Sequence, residues 1–325
     1  MNQNDQTPSP LSLQIRGVVP IIPTPFREDQ EIDWGSLHAL IDFSCAARAC
    51  AVCLPAYASE FYKLSEEERR RAVAEAVDHM SGRLPVIAQV NAFSSKQAKE
   101  TALAAQQTGA SAVGVTVPRL IALGERDLFR HFDRVLTAID IPLIIQDFNP
   151  GGPTLSADFI ANLHKVHPHF RYVKLEEPMM ASKVAAIAQR TSGEVGVLEG
   201  WGGMYMLELI PAGICGTVPS LGIADLLVQV FRLAEQTRHD EAYAIFQGVL
   251  PQIAFSLQNL ELLHHVEKSL LVARGILAKP LVREANLELG PFDKQHMDFL
   301  NIKILELLDR LHLPRNPTAS RLPEA

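Results

Sequence analysis

The sequence lacks the features that mark several classes of protein. It has no basic block, since 30 Lys and Arg stand against 37 Asp and Glu and the formal net charge is −7. This balance argues against nucleic acid and anionic membranes as partners. No apolar stretch is long enough to span a bilayer. The polar start also lacks the charged-then-apolar order of a signal peptide, so we expect a cytoplasmic protein.

Cysteine is scarce, with four residues in 325. Cys50 and Cys53 have the C-x-x-C spacing of redox and zinc motifs, but no second pair accompanies them. Cys53 also lies in an apolar segment, where core packing is the preferred interpretation. We therefore predict a protein that has neither a metal nor a cofactor.

Short apolar segments alternate with longer segments of helical periodicity over about 200 residues. The apolar segments have the composition of parallel strands that are covered on both faces. The predicted strands are 18–22, 51–54, 85–90, 112–117, 142–146, 172–175, 195–199 and 214–218. Ser65 and Glu68 have the pattern of a capping box, and Ser94 and Ser156 are predicted helix N-caps. Eight strand–helix repeats are typical of a (β/α)8 TIM barrel, an α/β fold.

The strand pattern ends near residue 224, and helical segments rich in Leu, Ala and Glu follow. The predicted helices are 225–236, 240–257, 260–276 and 291–311. This region is too short for a second domain with its own activity. We predict a disordered tail over 1–13, a barrel over 14–223, a helical extension packed on the barrel over 224–313, and a disordered tail over 314–325.

Chemistry in a TIM barrel takes place at the carboxyl ends of the strands. In this chain those ends carry polar or aromatic side chains. The candidate site residues are Tyr57, Ala58, Ser59 and Glu60 after the second strand, Gln146 and Asp147 at the fifth, Lys174 and Glu176 at the sixth, Trp201 after the seventh, and Thr217 at the eighth.

Lys174 is the candidate for covalent chemistry. Burial in a strand disfavours the charged ammonium, and the neutral amine attacks carbonyl carbons. Side chains alternate along a strand, so Lys174 and Glu176 share one face. A structural alternative is a lysine that extends to solvent or pairs with Glu176. A lone cation among amides and carboxylates favours a Schiff-base site. The glycines around Trp201 are a weak indication of a phosphate site, which stays open as the weaker alternative.

These motifs resemble the dihydrodipicolinate synthase / N-acetylneuraminate lyase superfamily over residues 16–311. The resemblance is carried by GVVPIIPTPF at 17–26, SEFYKLSEEER at 59–69, GASAVG at 109–114 and YVKLE at 172–176. It implies a (β/α)8 barrel with C-terminal helices that assembles as a homodimer or homotetramer. It also implies that Lys174 forms an imine with pyruvate or another small 2-keto acid.

Two departures from the family pattern narrow this expectation. Gln146 occupies the place of the family's proton-relay tyrosine, and Ala-Tyr-Ala-Ser-Glu at 56–60 replaces Gly-Thr-Thr-Gly-Glu. Dihydrodipicolinate synthesis is therefore disfavoured. Ser59-Glu60, Ile-Gln-Asp at 145–147 and Lys174 with Glu176 resemble instead the branch of L-2-keto-3-deoxyarabonate dehydratase.

That branch implies the removal of water from a 2-keto-3-deoxy sugar acid. For catalysis, we expect Glu176 or Asp147 to be the acid–base group and Gln146 to orient a hydroxyl or water, with Tyr57 a further proton donor.

For binding, we expect the N–H groups of Ala58 and Ser59 to hold the substrate carboxylate, with the Ser59 hydroxyl assisting. Trp201 and Thr217 are predicted to contact the substrate. Glu60 either does the same or ties down its loop, and the structural role is preferred.

Two alternatives remain open at this point. A pyruvate-releasing aldolase shares the imine and differs in the bond that breaks. A barrel that binds keto acids without turnover is the third hypothesis, because the relay tyrosine is missing.

Overall fold

The described residues of the computed structural model, 13–149, 152 and 154–319, contain one sheet of eight parallel strands in the order β1-β8-β7-β6-β5-β4-β3-β2. The strands are β1 (Gly17–Val18), β2 (Val52–Leu54), β3 (Val86–Val90), β4 (Ala112–Thr116), β5 (Leu143–Phe148), β6 (Phe170–Glu176), β7 (Gly196–Glu199) and β8 (Gly216–Thr217). Each lies within, or within two residues of, a predicted strand, which confirms the predicted TIM barrel.

The sheet closes between β1 and β2. Ile21 and Cys53 form a parallel bridge, and the Ile22 N–H donates to the Cys53 carbonyl at 3.0 Å. Cys53 therefore lies in the barrel wall, as the packing interpretation expects. Of the predicted tails, residues 1–12 and 320–325 lie outside the described residues.

Helices cover the outside of the sheet. In the described part of the chain they are α1 (Trp34–Ala46), α2 (Glu66–Met80), α3 (Ser95–Thr108), α4 (Glu125–Leu136), α5 (Ala157–Val166), α6 (Ala181–Arg190), α7 (Met206–Leu209), α8 (Ala224–Glu235), α9 (His239–Ser256), α10 (Leu260–Ala273) and α11 (Pro291–Arg310). The Ser65–Glu68 capping box and the Ser94 and Ser156 caps are confirmed. None of these helices is both long and apolar enough to cross a membrane.

The barrel interior nearer the amino ends of the strands is filled by apolar side chains. Ile87, Ile144, Tyr172 and Leu198 belong to one buried cluster. The Tyr172 hydroxyl donates to the Leu13 carbonyl at 2.9 Å, which ties residues before β1 to the interior. Among the described residues this end of the barrel is packed, and the carboxyl ends of the strands are where a TIM barrel receives small molecules.

Helix α8 packs against β1. This is the place of the last helix of a (β/α)8 barrel. The predicted boundary at residue 224 assigns this helix to the extension. We propose instead that the barrel runs through α8 and that the extension consists of α9, α10 and α11.

Candidate active site

Strand β6 presents Lys174 and Glu176 to the barrel interior. They lie on the same face, as strand alternation requires, and the Lys174 Nζ is 2.8 Å from Glu176 Oε1. Lys174 is 7% exposed and Glu176 8% exposed. The amine is therefore held inside the barrel by a single carboxylate, with limited contact to solvent.

A line of amides and hydroxyls continues from this pair across β5, β4 and β3. Gln146 Nε2 donates to Glu176 Oε1 at 3.0 Å, and Gln146 Oε1 accepts from Gln89 Nε2 at 2.9 Å. Gln89 also donates to Thr116 Oγ1 at 3.1 Å, and Thr116 donates to Asn91 Oδ1 at 2.5 Å. Because each donor meets an acceptor, the amide of Gln146 is fixed with its NH₂ group toward Glu176.

Two glycines make room for this network. A Cβ at Gly114 would lie 3.0 Å from Gln89 Cδ and closer still to Oε1. A Cβ at Gly200 would lie 2.9 Å from Lys174 Cε and closer still to Glu176 Cγ. The positions of the lysine and the carboxylate therefore depend on the absence of a side chain at Gly200, directly after β7.

Gly200→Ala is expected to lower kcat/KM by about 10²-fold, because a displacement of about 1 Å at the reacting groups has an effect of that order. The added methyl group is also expected to cost about 1–3 kcal/mol of stability through overpacking. Gly35→Ala is the matched control, since its nearest contact would be an ordinary 3.6 Å. Steady-state kinetics and urea unfolding of both variants give the comparison, and wild-type activity in Gly200→Ala would contradict the steric argument.

The loop after β2 begins with a 3₁₀ turn over Tyr57–Ser59. The Ser59 hydroxyl donates to the Ile22 carbonyl at 2.6 Å and accepts from the Ala56 N–H at 3.0 Å. The Ser59 N–H donates to the Ala56 carbonyl at 2.9 Å. The N–H and the hydroxyl of Ser59 are therefore already bonded to carbonyls of the protein, one in the loop and one after β1. Ala58 lines the cavity, and its N–H precedes the first hydrogen-bonded turn.

Glu60 ends this turn in a left-handed conformation, with φ of 58°. Its carboxylate is fully buried and pairs with Lys268 of α10 and, at 3.1 Å, with Lys63. It also accepts from the Arg283 N–H at 3.2 Å. These contacts agree with the structural role for Glu60, because they join the loop to the C-terminal helices.

Lys268→Met is expected to cost about 3 kcal/mol of stability, the lower end for breaking a buried ion pair, because the buried Glu60 carboxylate keeps Lys63 but loses its other ammonium partner. Lys268 is 1% exposed, and burial lowers its pKa to about 8. Lys279→Met is the control, since Lys279 and its partner Glu28 are exposed, and a surface pair contributes at most about 1 kcal/mol. Equal urea midpoints for the two variants would contradict the structural role of the Glu60–Lys268 ion pair.

A cavity of about 380 Å³ opens beside Glu176 and extends from the strand ends to α9 and α10. Tyr57, Phe148 and Trp201 form an aromatic part of its wall, with Phe148 5.9 Å from Tyr57 and 6.1 Å from Trp201 between ring centres. Burial and the Glu176 carboxylate raise the pKa of Tyr57. Its phenol therefore stays protonated at neutral pH and can donate a proton.

Asp147 faces away from this cavity. It pairs with Leu175 in register, and it accepts from Arg119 Nη2 at 2.6 Å and from the Leu155 N–H at 2.5 Å. Neighbouring residues on a strand face opposite sides, so Asp147 cannot share the side of Gln146. The prediction of Asp147 as an acid–base group is therefore corrected: its carboxylate binds Arg119 and the Leu155 N–H.

Thr217 also lies outside the cavity wall. Its hydroxyl donates to Glu199, which also accepts from the Gly203 N–H at 2.8 Å. Burial raises the pKa of Glu199 to about 7. Thr217 therefore positions the segment after β7 and does not face a ligand. Of the predicted residues, Tyr57, Ala58, Glu176 and Trp201 line the cavity, and Lys174 and Gln146 contact its Glu176 carboxylate.

Sequence reasoning did not find the roles of Thr116, Gly114 and Gly200. Thr116 ends a strand and Gly200 follows one, which is the available signal. A position at a strand end does not by itself identify a site residue, because many such residues face the helices. The strand register is needed to separate residues that face the barrel interior from residues that face the helices.

Comparisons with known proteins agree with this architecture. The sequence profile of the dihydrodipicolinate synthetase family matches residues 14–301. L-2-keto-3-deoxyarabonate dehydratase of Azospirillum brasilense is 30% identical over 85% of this chain and 90% of its own. The putative 2-dehydro-3-deoxy-D-gluconate aldolase YagE of Escherichia coli is 29% identical over 43% of this chain and 46% of its own.

Solved structures match nearly the whole chain. Dihydrodipicolinate synthase from Rhodopseudomonas palustris has a TM-score of 0.82, covering 91% of this chain and 98% of that chain at 22% identity. YagE in complex with pyruvate has a TM-score of 0.81, covering 90% and 99% at 20% identity. At these identities the likeness establishes the fold.

Proposed function

The chain belongs to the dihydrodipicolinate synthetase family of Schiff-base lyases, and we propose that it removes water from a 2-keto-3-deoxy sugar acid through an imine on Lys174. The observation that carries the proposal is the Lys174–Glu176 pair, 2.8 Å apart inside the barrel and beside a cavity of about 380 Å³. The similarity to a dehydratase over 85% of the chain supports the choice of reaction.

Imine formation needs a neutral amine and a proton acceptor. Glu176 takes a proton from Lys174, whose nitrogen then attacks the C2 ketone of the substrate. The C2 oxygen leaves as water, and a C=N⁺ bond joins the substrate to Lys174. The amide of Gln146 donates to Glu176 Oε1 and holds this carboxylate toward the lysine.

The iminium makes the C3–H bond acidic, so Glu176 removes that proton and an enamine forms. The enamine expels the C4 hydroxyl, and Tyr57 donates the proton with which it leaves as water. For a pentonate substrate, the Tyr57 phenolate then takes a proton back from C5 and Glu176 returns its proton to C3, and the resulting C4–C5 enol becomes an aldehyde as its hydroxyl proton moves to C4. Addition of water to the imine returns the free lysine and releases 2-oxoglutarate semialdehyde, one water fewer than the substrate overall.

The substrate carboxylate needs a donor near the lysine. The N–H of Ala58 is the best placed group, because Ala58 lines the cavity, whereas the N–H and hydroxyl of Ser59 already bond to the Ala56 and Ile22 carbonyls. The iminium adds a positive charge on the same side. Gln146, which is itself held by Gln89, orients the Glu176 carboxylate and stands where the family has its tyrosine.

A pyruvate-releasing aldolase is the second candidate, supported by the partial similarity to YagE. It uses the same imine but breaks the C3–C4 bond. The test is to incubate the protein with 2-keto-3-deoxypentonates and to assay both products. We expect 2-oxoglutarate semialdehyde, and pyruvate as the sole product would overturn the dehydratase proposal in favour of the aldolase.

A further inference from the structure

Thr116 and Asn91 belong to the series of hydrogen bonds that ends at Glu176, but the proposed mechanism gives them no part. Thr116 is the last residue of β4, and Asn91 comes directly after β3. Neither belongs to the described wall of the cavity beside Glu176, and Thr116 is 8% exposed. Any effect of Thr116 on the reaction must therefore pass through the side chains that it contacts.

The direction of these hydrogen bonds is set at the Pro55 carbonyl, which can only accept. It accepts from Asn91 Nδ2 at 3.2 Å, so the amide of Asn91 turns its oxygen toward Thr116. The Thr116 hydroxyl has one proton and donates it to Asn91 Oδ1 at 2.5 Å. Toward Gln89, the Thr116 hydroxyl can therefore only accept.

The Gln89 amide is held in one orientation by acceptors on one side and a donor on the other. Its Nε2 donates to Thr116 Oγ1 at 3.1 Å and to Gln146 Oε1 at 2.9 Å. Its Oε1 lies 3.8 Å from the Cys53 thiol. Burial raises the pKa of Cys53 to about 11, so this thiol keeps its proton at neutral pH and is a weak donor. A flipped Gln89 amide would place like groups against each other on both sides.

The same order of donors and acceptors reaches Glu176. The oxygen of the Gln146 amide is used by Gln89, so its NH₂ group is left to donate to Glu176 Oε1 at 3.0 Å. This is the carboxylate oxygen that lies 2.8 Å from Lys174 Nζ. Because hydrogen bonds in series reinforce one another, the loss of one member loosens the groups that follow it.

We propose that Thr116 is a positioning residue for proton transfer. Its hydroxyl fixes the Gln89 amide and, through Gln146, directs the Glu176 carboxylate at C3 of the bound keto acid. The inference rests on the proposed function for the imine on Lys174 and for Glu176 as the base. Thr116 does not touch the substrate, so its loss slows removal of the C3 proton and leaves the affinity for the keto acid nearly unchanged.

Pyruvate separates these two steps, because it forms the imine but has no hydroxyl to lose. In D₂O, Glu176 takes a proton from the methyl carbon of the imine as the C–H electron pair forms the enamine. The carboxyl group exchanges this proton with solvent and returns a deuteron to the same carbon, and addition of water releases deuterated pyruvate. Proton NMR of the methyl signal gives the exchange rate. Borohydride trapping read by intact mass gives the half-saturating pyruvate concentration.

In Thr116→Val the exchange rate at saturating pyruvate is expected to fall about tenfold, the effect of one lost hydrogen bond, while the half-saturating concentration stays within about twofold. Thr116→Ser keeps the hydroxyl and is expected to exchange within about twofold of the wild type. Unchanged exchange in Thr116→Val overturns the proposal. An equal fall in Thr116→Ser also overturns it, because the hydroxyl is then not the cause.

Thr191→Val is the matched control. Thr191 is 6% exposed, and its hydroxyl donates to the Ile187 carbonyl at 2.8 Å at the end of α6. Its replacement removes a buried threonine hydroxyl outside the series and is expected to leave exchange and trapping unchanged. An equal tenfold loss in Thr191→Val would overturn the special role of Thr116.

A double variant tests whether Thr116 acts through Glu176. In a Glu176→Gln background, Thr116→Val is expected to change exchange by less than about twofold, because the carboxylate that it directs is already gone. A further tenfold loss overturns this route. If the exchange results are as expected but 2-keto-3-deoxypentonates give no 2-oxoglutarate semialdehyde, the dehydratase proposal fails and the role of Thr116 stands.

Discussion

Lys174→Arg is expected to lose borohydride-trapped pyruvate completely and to lose about 10⁴-fold or more in kcat/KM. Arginine keeps the positive charge beside Glu176 but stays protonated, so it cannot attack a ketone. The measurement is intact mass after borohydride treatment, followed by peptide mapping of the wild-type adduct. The adduct is expected on the peptide that contains Lys174.

Lys183→Arg is the matched control for this experiment. Lys183 lies on α6 and pairs at 2.8 Å with Glu177, which is not part of the described cavity wall, whereas Lys174 pairs with Glu176, which is. Lys183→Arg should trap pyruvate as the wild type does. A wild-type protein that gains no adduct would end the imine proposal and favour a barrel that binds keto acids without turnover. An adduct that persists in Lys174→Arg would assign the chemistry to another amine.

Glu176→Gln is expected to lower kcat by about 10²–10⁴-fold, the usual contribution of a positioned acid–base group. Glutamine has nearly the same volume, so the packing against Gly200 is retained while proton transfer is lost. The imine can still form, more slowly, because Lys174 is intact. Single-turnover trapping with pyruvate and steady-state kinetics together separate these two steps.

Glu177→Gln provides the comparison for Glu176. Glu177 is the next residue along the chain and bonds to Lys183 and Thr154, outside the described cavity wall. Its replacement should leave kcat within about twofold, as expected for a substitution away from the reacting groups. If Glu176→Gln turned over normally, Glu176 would not be the proton acceptor, and the proposed mechanism would be wrong at that step.

Much of the architecture was predictable because it follows from local rules. Apolar segments bounded by polar ones gave strands, and Ser65, Ser94 and Ser156 gave helix starts. Period-two alternation placed Lys174 and Glu176 on one face, and the structure has them 2.8 Å apart. These inferences need only neighbours in sequence, which is why they succeeded.

The same alternation rule excludes Asp147 from the interior site once it is known that Gln146 faces the interior. Sequence shows that adjacent residues face opposite sides but does not show which side is the interior. The pairing of Gln146 with Lys174 and of Asp147 with Leu175 settles it. Thr217 was misassigned for the same reason, since its strand end points toward Glu199.

By itself, the sequence determined the barrel and its family and placed Lys174 and Glu176 on one face of a strand, because periodicity, caps and motifs are properties of short segments of chain. Only the tertiary structure decided which polar side chains share a space. Three sets of contacts join residues far apart in sequence. They are the hydrogen bonds from Gln89 through Gln146 to Glu176, the ion pair of Glu60 with Lys268, and the cavity wall that includes Trp201 and Gln252. Such contacts depend on the register and closure of the whole sheet and on the packing of α9 and α10, which no local pattern encodes.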